Sequence, residues 1–119
     1  MDTRNKILTI AAACALPRGE MTVASGYFDG LRAAHVHDLA GLPRPLLAAV
    51  LPPASELLNA RARAEMVAAL RIIDYVVIVN ERELDALIGI LAPPRVARLE
   101  SSDLLRTRRL IEHVRSRQS

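Results

Sequence analysis

A short segment between residues 26 and 35 holds the residue types that a phosphate site needs. It reads Gly26-Tyr27-Phe28-Asp29-Gly30-Leu31-Arg32-Ala33-Ala34-His35 and follows Met21 to Ser25, an apolar run that predicts a buried strand. A glycine after a strand lets the backbone approach a phosphate, and the helix start behind it favours anions. Arg32 and His35 add donors for phosphate oxygens. The segment therefore predicts an anion site, although such a glycine and a single histidine are also common structural features.

The elements that must position this segment alternate along the chain. The run Tyr75-Val76-Val77-Ile78-Val79 is uniformly apolar and β-branched, which is typical of a strand covered on both faces in a parallel sheet. Strands alternating with helices indicate a small α/β fold with a parallel sheet. We expect strands over 21–25, 46–51, 75–79 and 95–100, and helices over 31–39, 55–72, 81–91 and from Ser101 or Ser102 onward.

Capping residues mark two of these helices. Ser55 is expected to cap the helix that runs to about Ile72. Asn80 and Glu83 have the spacing of a variant capping box for the helix that ends at Leu91.

Residues 7–16 form an apolar run behind Arg4 and Lys6 that superficially resembles a short signal peptide. Apolar residues at spacings of three and four favour an amphipathic helix instead, which Pro17 and Gly19 would end. No segment is long enough to cross a bilayer. We therefore expect a cytoplasmic protein without a membrane association.

Composition excludes several classes of protein. The 119 residues predict one domain, 1–119, and 51% are apolar with only 3% aromatic, so the core must consist of Leu, Ile, Val and Ala. The single Cys14 excludes an internal disulfide, and no spacing of ligands predicts a metal site. The net charge of +3 invites a nucleic-acid interpretation, but the chain lacks Trp and the aromatic–basic interleaving of a single-strand binder. We therefore expect no nucleic-acid partner.

The segment at residues 26–35 resembles the G-x-F-D-x-x-H-x-G-H signature of the cytidylyltransferase-like nucleotidyltransferases, with Gly26, Phe28, Asp29 and His35 in place. The stretch from Arg63 to Ile78 is similar to R-A-E-x-x-A-A-L-x-x-V-D-Y-V-V-I in the same family. Among family members, the chain resembles the ADP-heptose synthase nucleotidyltransferase domain and glycerol-3-phosphate cytidylyltransferase. The resemblance implies a small Rossmann-like, three-layer α/β fold, here shortened by one element after Leu91.

The same resemblance implies an activity: transfer of a nucleoside monophosphate from CTP or ATP, with Mg²⁺, to a sugar phosphate or glycerol phosphate. Family members place two histidines against the phosphates, at positions that are Arg32 and His35 here. A last motif, I-S-S-T-x-I-R, binds the triphosphate. The resemblance therefore implies that the nucleotide is held by Gly26, Tyr27, Phe28, Asp29, Ser101, Ser102 and Arg106.

Departures from the family pattern weigh against turnover. Arg32 replaces the first histidine and Ala34 replaces the motif glycine. The last motif resembles the chain in two registers: one turns its threonine into Asp103, and the other keeps Ser101 and Ser102 on two threonines, puts Arg95 on the first arginine and loses the last one. Ser-Ser-Asp is also a common helix start. The family's polar acceptor loop is replaced by residues 51–55, Leu-Pro-Pro-Ala-Ser. Three hypotheses follow: a working transferase, a domain that binds nucleotide without turnover, and a non-catalytic structural or partner-binding domain, as a homodimer or with another protein. The substitutions favour the second hypothesis over the first.

Overall fold

The structure is a computed structural model that describes residues 3–28, 33–52 and 59–99. A short 3₁₀ helix, Thr3–Lys6, precedes the first strand. The strands are β1 (Ile7–Leu8), β2 (Thr22–Gly26), β3 (Leu46–Val50), β4 (Tyr75–Ile78) and β5 (Arg95–Arg98). The helices are α1 (Ile10–Cys14), α2 (Ala33–Ala40), α3 (Ala60–Ala68) and α4 (Glu81–Leu91).

The five strands form one parallel sheet in the order β1-β4-β3-β2-β5. The strands start nearly level, because Thr22 lies opposite both Leu46 and Arg95. The predicted parallel sheet is therefore confirmed, including the four strands expected near residues 22, 46, 75 and 95.

Helices cover both faces of the sheet, which explains why its central strands are apolar throughout. On one face, α1 and α4 pack over Val23, Leu47 and Val77. On the other face, α2 and α3 pack over Ala24, Ala48 and Val76. Adjacent strand residues thus enter different cores, as side chains alternate across a strand. These layers make the small Rossmann-like α/β fold that was expected.

The amino-terminal prediction was partly wrong. Ile7 and Leu8 are not helical but form β1, which pairs in parallel with Val76 and Val77 of β4. Only Ile10–Cys14 is helical, and the Thr9 hydroxyl caps it by accepting from the Ala12 N–H at 3.1 Å. The physical reason is non-local, since pairing with the free edge of β4 outweighs the helical spacing of the apolar residues.

Helix α4 begins as the sequence predicts, whereas α3 does not. Asn80 and Glu83 form a capping box, with the Asn80 side chain accepting from the Glu83 N–H at 2.7 Å and the Glu83 carboxylate accepting from the Asn80 N–H at 3.0 Å. Helix α3 is capped by Asn59, four residues after the expected cap Ser55, which lies outside the described residues. It also ends at Ala68 rather than near Ile72.

A carboxylate ties β3 and β4 together at the amino edge of the sheet, the edge where all five strands begin. Asp74 accepts from the Leu46 N–H at 2.8 Å and from both Nε and Nη2 of Arg44, at 3.2 and 2.6 Å. The hydrogen bonds from Arg44, assisted by the one from Leu46, lower the pKa of Asp74 although its partial burial acts in the opposite direction. The ionised form is therefore the one that the fold stabilises.

Within the described residues, no helix is both long and apolar enough to span a bilayer.

The ion pair between Asp74 and Arg44 predicts a specific pH dependence of stability. Because the folded state lowers the pKa of Asp74, its contribution is present above the unfolded pKa, near 4, and is lost as pH falls through the lower, folded value. Asp74→Asn should therefore lower the Tm at pH 7, and the gap from wild type should close toward pH 2. Thermal scans from pH 2 to 7 measure this gap, with the exposed Asp85→Asn as the control for loss of one surface charge. A gap that does not change with pH would contradict the assignment.

Candidate functional site

The sheet has a switch in strand order next to β2. After β2 the chain builds β3 and then β4 on one side, and it returns to place β5 on the other side of β2. In open parallel sheets, ligands bind beyond the carboxyl ends of the strands at such a switch. Here that position is bounded by Gly26 at the end of β2, by Tyr27 and Phe28 directly after it, and by Leu99 after β5. The fold therefore brings the first half of the predicted motif to the place where this architecture holds ligands.

Phe28 folds back onto the end of its own strand. Its backbone has φ 53°, a left-handed conformation that bulky residues rarely adopt, and its side chain is fully buried. A Cβ placed on Gly26 would lie 3.1 and 3.2 Å from two atoms of the Phe28 ring and 3.5 Å from the Leu99 Cβ. The glycine thus makes room for the Phe28 ring.

A buried arginine lies beneath this segment. Arg63 of α3 has no exposed surface, and one of its terminal nitrogens donates to the Tyr27 carbonyl at 2.7 Å and to the Leu51 carbonyl at 2.6 Å. These carbonyls belong to the residues that follow β2 and β3. The guanidinium therefore joins the two strand ends to α3 and fixes a positive charge at the carboxyl edge, beside the switch in strand order.

The predicted site residues separate into two groups. Gly26, Tyr27 and Phe28 stand at the switch, where half-buried Tyr27 packs against the core beneath α1 and α4. His35 belongs to α2, two residues after that helix begins. The remaining predicted residues lie outside the described part of the chain: Asp29, Arg32, Ser101, Ser102 and Arg106.

Arg63 begins the stretch that resembles the family, but its position in the sequence alone indicates no role. A signal was present, because Arg63 stands on the same helical stripe as Ala64, Val67 and Ala68, all of which are buried. A charged residue on an apolar stripe must find hydrogen bonds in the interior, since an unsatisfied buried charge is strongly unfavourable. The carbonyls of Tyr27 and Leu51 that accept from Arg63 are distant from it in sequence, so the sequence alone does not identify them.

The described residues hold no cluster of three or more His, Cys, Asp or Glu side chains that could ligate a metal ion.

The architecture and the switch-point site define a Rossmann-like α/β domain. It is similar to the crystal structure of a lipopolysaccharide core biosynthesis protein from Thermoplasma volcanium, with a TM-score of 0.57 and 18% sequence identity over 65% of this chain and 71% of that one. No family model and no curated protein matches the sequence. The similarity shows a shared fold.

Removal of the Arg63 guanidinium should destabilise the protein. Arg63→Met keeps much of the volume but leaves the Tyr27 and Leu51 carbonyls without their donor, and hydrogen bonds to a charged group contribute roughly 1.5–3 kcal/mol each. We expect the free energy of unfolding in urea to fall by about 2–4 kcal/mol. The control is Arg61→Met, which removes only an exposed ion pair with Glu65 and should cost below about 1 kcal/mol. Equal losses in the two variants would contradict a special role for Arg63.

Contact between Gly26 and Phe28 can be tested by a double-mutant cycle. Gly26→Ala should lower the free energy of unfolding by roughly 1–3 kcal/mol, because the new methyl group overlaps a buried ring that has no free space to enter. Phe28→Leu, combined with Gly26→Ala, should cost less than the sum of the two single changes. Strict additivity would show that the ring does not constrain residue 26.

Proposed function

We propose that this chain is a nucleotidyltransferase-like domain that binds CTP or ATP at the carboxyl edge between β2 and β5 and transfers nucleotide poorly or not at all. One observation carries the proposal: the segment that resembles the family signature ends the strand beside the switch in strand order. A phosphate-binding segment has its expected place in the fold there. The similarity in fold to a lipopolysaccharide core biosynthesis protein supports the same family relation.

Arg63 supports the binding of an anion at this edge. Its positive charge is fixed below the Tyr27 carbonyl in an environment without water, where charges act over longer distances than at the surface. The carbonyl bonds hold the guanidinium in place, so its role is to favour negative charge nearby and to position the segment above it.

Residues from two parts of the sequence would hold the phosphates. Arg32 and His35 follow β2 along the chain, and Ser101, Ser102 and Arg106 follow β5. The chain leaves β5 at Leu99, whose Cβ lies 3.5 Å from the position of a Cβ on Gly26. Ser101 and Ser102 follow Leu99 by two and three residues along the chain. A bound nucleotide would also bring its Mg²⁺.

The substitutions in the motif favour binding over transfer. An arginine at position 32 can donate two hydrogen bonds to a phosphate. It is longer than histidine, however, and Ala34 adds a methyl group where the family has glycine. Charge that develops in a transition state requires donors placed within a few tenths of an ångström, whereas ground-state binding is more tolerant. If transfer does occur, a sugar phosphate or glycerol phosphate is the expected acceptor.

Calorimetric titration with CTP and with ATP, each with magnesium, tests the proposal. We expect one site, with affinity weakened about tenfold or more in His35→Ala, because a hydrogen bond to a charged phosphate contributes roughly 1.5–3 kcal/mol. The matched control is His37→Ala on the same helix, an exposed residue that faces another direction two positions later. Its affinity should remain within about twofold of wild type.

Three results would overturn the proposal. Absence of heat with both nucleotides would favour a structural or partner-binding domain. Equal losses of nucleotide affinity in His35→Ala and His37→Ala would show that the nucleotide site does not depend on the motif histidine. Rapid pyrophosphate release in the presence of a sugar phosphate or glycerol phosphate would show an active transferase.

A further inference from the structure

Each strand of the described sheet has a basic residue at its start or in the turn that leads into it. Lys6 directly precedes β1, and Arg95 opens β5. The others lie in the turns that lead into the remaining three strands. Across the sheet in strand order, the five residues are Lys6, Arg71, Arg44, Arg18 and Arg95. We name this set the basic row.

Parallel strand direction is what assembles the basic row. All five strands begin at the same edge, and the register places Thr22 level with both Leu46 and Arg95. Neighbouring strands lie about 4.8 Å apart, so the row extends roughly 19 Å along the edge. It lies at the amino edge, opposite the proposed nucleotide site.

Two contacts fix the ends of the row. Lys6 Nζ donates to the Leu70 carbonyl at 3.1 Å, which holds Lys6 beside the residue preceding Arg71. The Gly19 N–H donates to the Leu91 carbonyl at 2.7 Å, which holds the Arg18 turn against the end of α4, shortly before Arg95. The basic row is therefore attached to rigid elements at both ends.

Most of the row is available to an external anion. Arg18, Arg71 and Arg95 are exposed and form no ion pair with another residue in ranges 3–28, 33–52 and 59–99. Arg44 is paired with Asp74. Among the described residues, the other acids near this edge are Glu20, before β2, Asp38, near the end of α2, and Glu65, in the last turn of α3 and paired with Arg61. The row therefore keeps a positive surplus there.

The opposite edge also carries cations, since the first turns of α3 and α4 hold Arg61, Arg63 and Arg82 with Glu81 and Glu83, and Arg98 ends β5. Arg63 is buried on backbone carbonyls, and Arg61 and Arg98 are paired with Glu65 and Asp85. Among the described residues, exposed arginines without an ion pair are therefore more numerous at the amino edge than at the carboxyl edge.

We propose that the basic row binds the phosphate backbone of a nucleic-acid duplex, without reading its sequence. The row follows the amino edge of the sheet, and a duplex presents a negative charge for every ~1.7 Å of its axis, so an edge of this width faces several phosphates. Guanidinium groups bind phosphate with two parallel hydrogen bonds. The only aromatic residue that begins a strand is Tyr75, which packs into the core, so unpaired bases would have no stacking surface.

The sequence analysis expects no nucleic-acid partner because aromatic side chains are scarce. The basic row changes that expectation for double-stranded nucleic acid only. The absence of aromatic side chains excludes a single-strand binder, but duplex backbone binding needs cations alone. A second explanation for the row is structural, since α2, α3 and α4 end toward this edge and cations there stabilise helix carboxyl ends. That explanation predicts an effect on stability and none on duplex affinity.

Fluorescence anisotropy with a labelled mixed-sequence duplex of about 20 base pairs, from 50 to 200 mM salt, tests the proposal. The triple variant Arg18→Gln/Arg71→Gln/Arg95→Gln should bind at least about tenfold more weakly at low salt. The slope of log affinity against log salt should become shallower by about 2.7, since each neutralised phosphate contributes about 0.9. The charge-matched control is Arg108→Gln/Arg109→Gln/Arg115→Gln, in the part of the chain outside the described residues.

Thermal scans establish whether each variant is folded. If the triple variant unfolds, duplex binding is measured with Arg18→Gln alone. The proposal is overturned if the control variant loses as much affinity as the row variant, if the row variant binds like wild type, or if the wild type binds no duplex. Binding to vesicles of phosphatidylserine and phosphatidylcholine in place of the duplex would also overturn it, in favour of a membrane surface. Because the row is at the other edge, failure here leaves the nucleotide proposal unaffected.

Discussion

The buried guanidinium of Arg63 is the interaction on which the geometry of the carboxyl edge depends. A charge in the interior is strongly unfavourable unless hydrogen bonds replace its water, and Arg63 obtains them from the carbonyls that follow two adjacent strands. Those carbonyls lie at the ends of β2 and β3, where the backbone departs from the sheet. One side chain thus satisfies both strand ends and anchors α3 above them, so that the segment after β2 starts from a fixed position.

Asp74 has the corresponding role at the amino edge, where it binds the Leu46 N–H and Arg44. Polar contacts therefore fix both edges, while the interior between them is built from small apolar side chains such as Ala24, Ala48 and Ala64. Small residues let helices approach the sheet closely. The sheet thus has two chemically different edges, with a buried guanidinium at one and a carboxylate–guanidinium pair at the other.

Local signals predicted the parts of the fold that depend on local physics. The β-branched run of β4 and the capping box of α4 are each contained within a few residues, and both predictions are confirmed. Strand β1 was missed because its two residues become extended only by pairing with β4, some 70 residues away. The left-handed backbone of Phe28 was missed for a similar reason, since burial of its ring against Gly26 and Leu99 stabilises a conformation that the residue alone would avoid. The nucleotide site was predicted from resemblance, and only its β2 end has a described geometry.

Strand β5 carries a consequence for how copies of this protein behave toward one another. Within the described residues it pairs on one side only, with β2, and an unpaired strand edge can template the addition of a strand from another molecule. Exposed arginines stand at both ends of its four residues, Arg95 and Arg98. Two copies that met edge to edge, in either direction, would bring these like charges together. Charged residues at both ends of a short edge strand oppose such pairing.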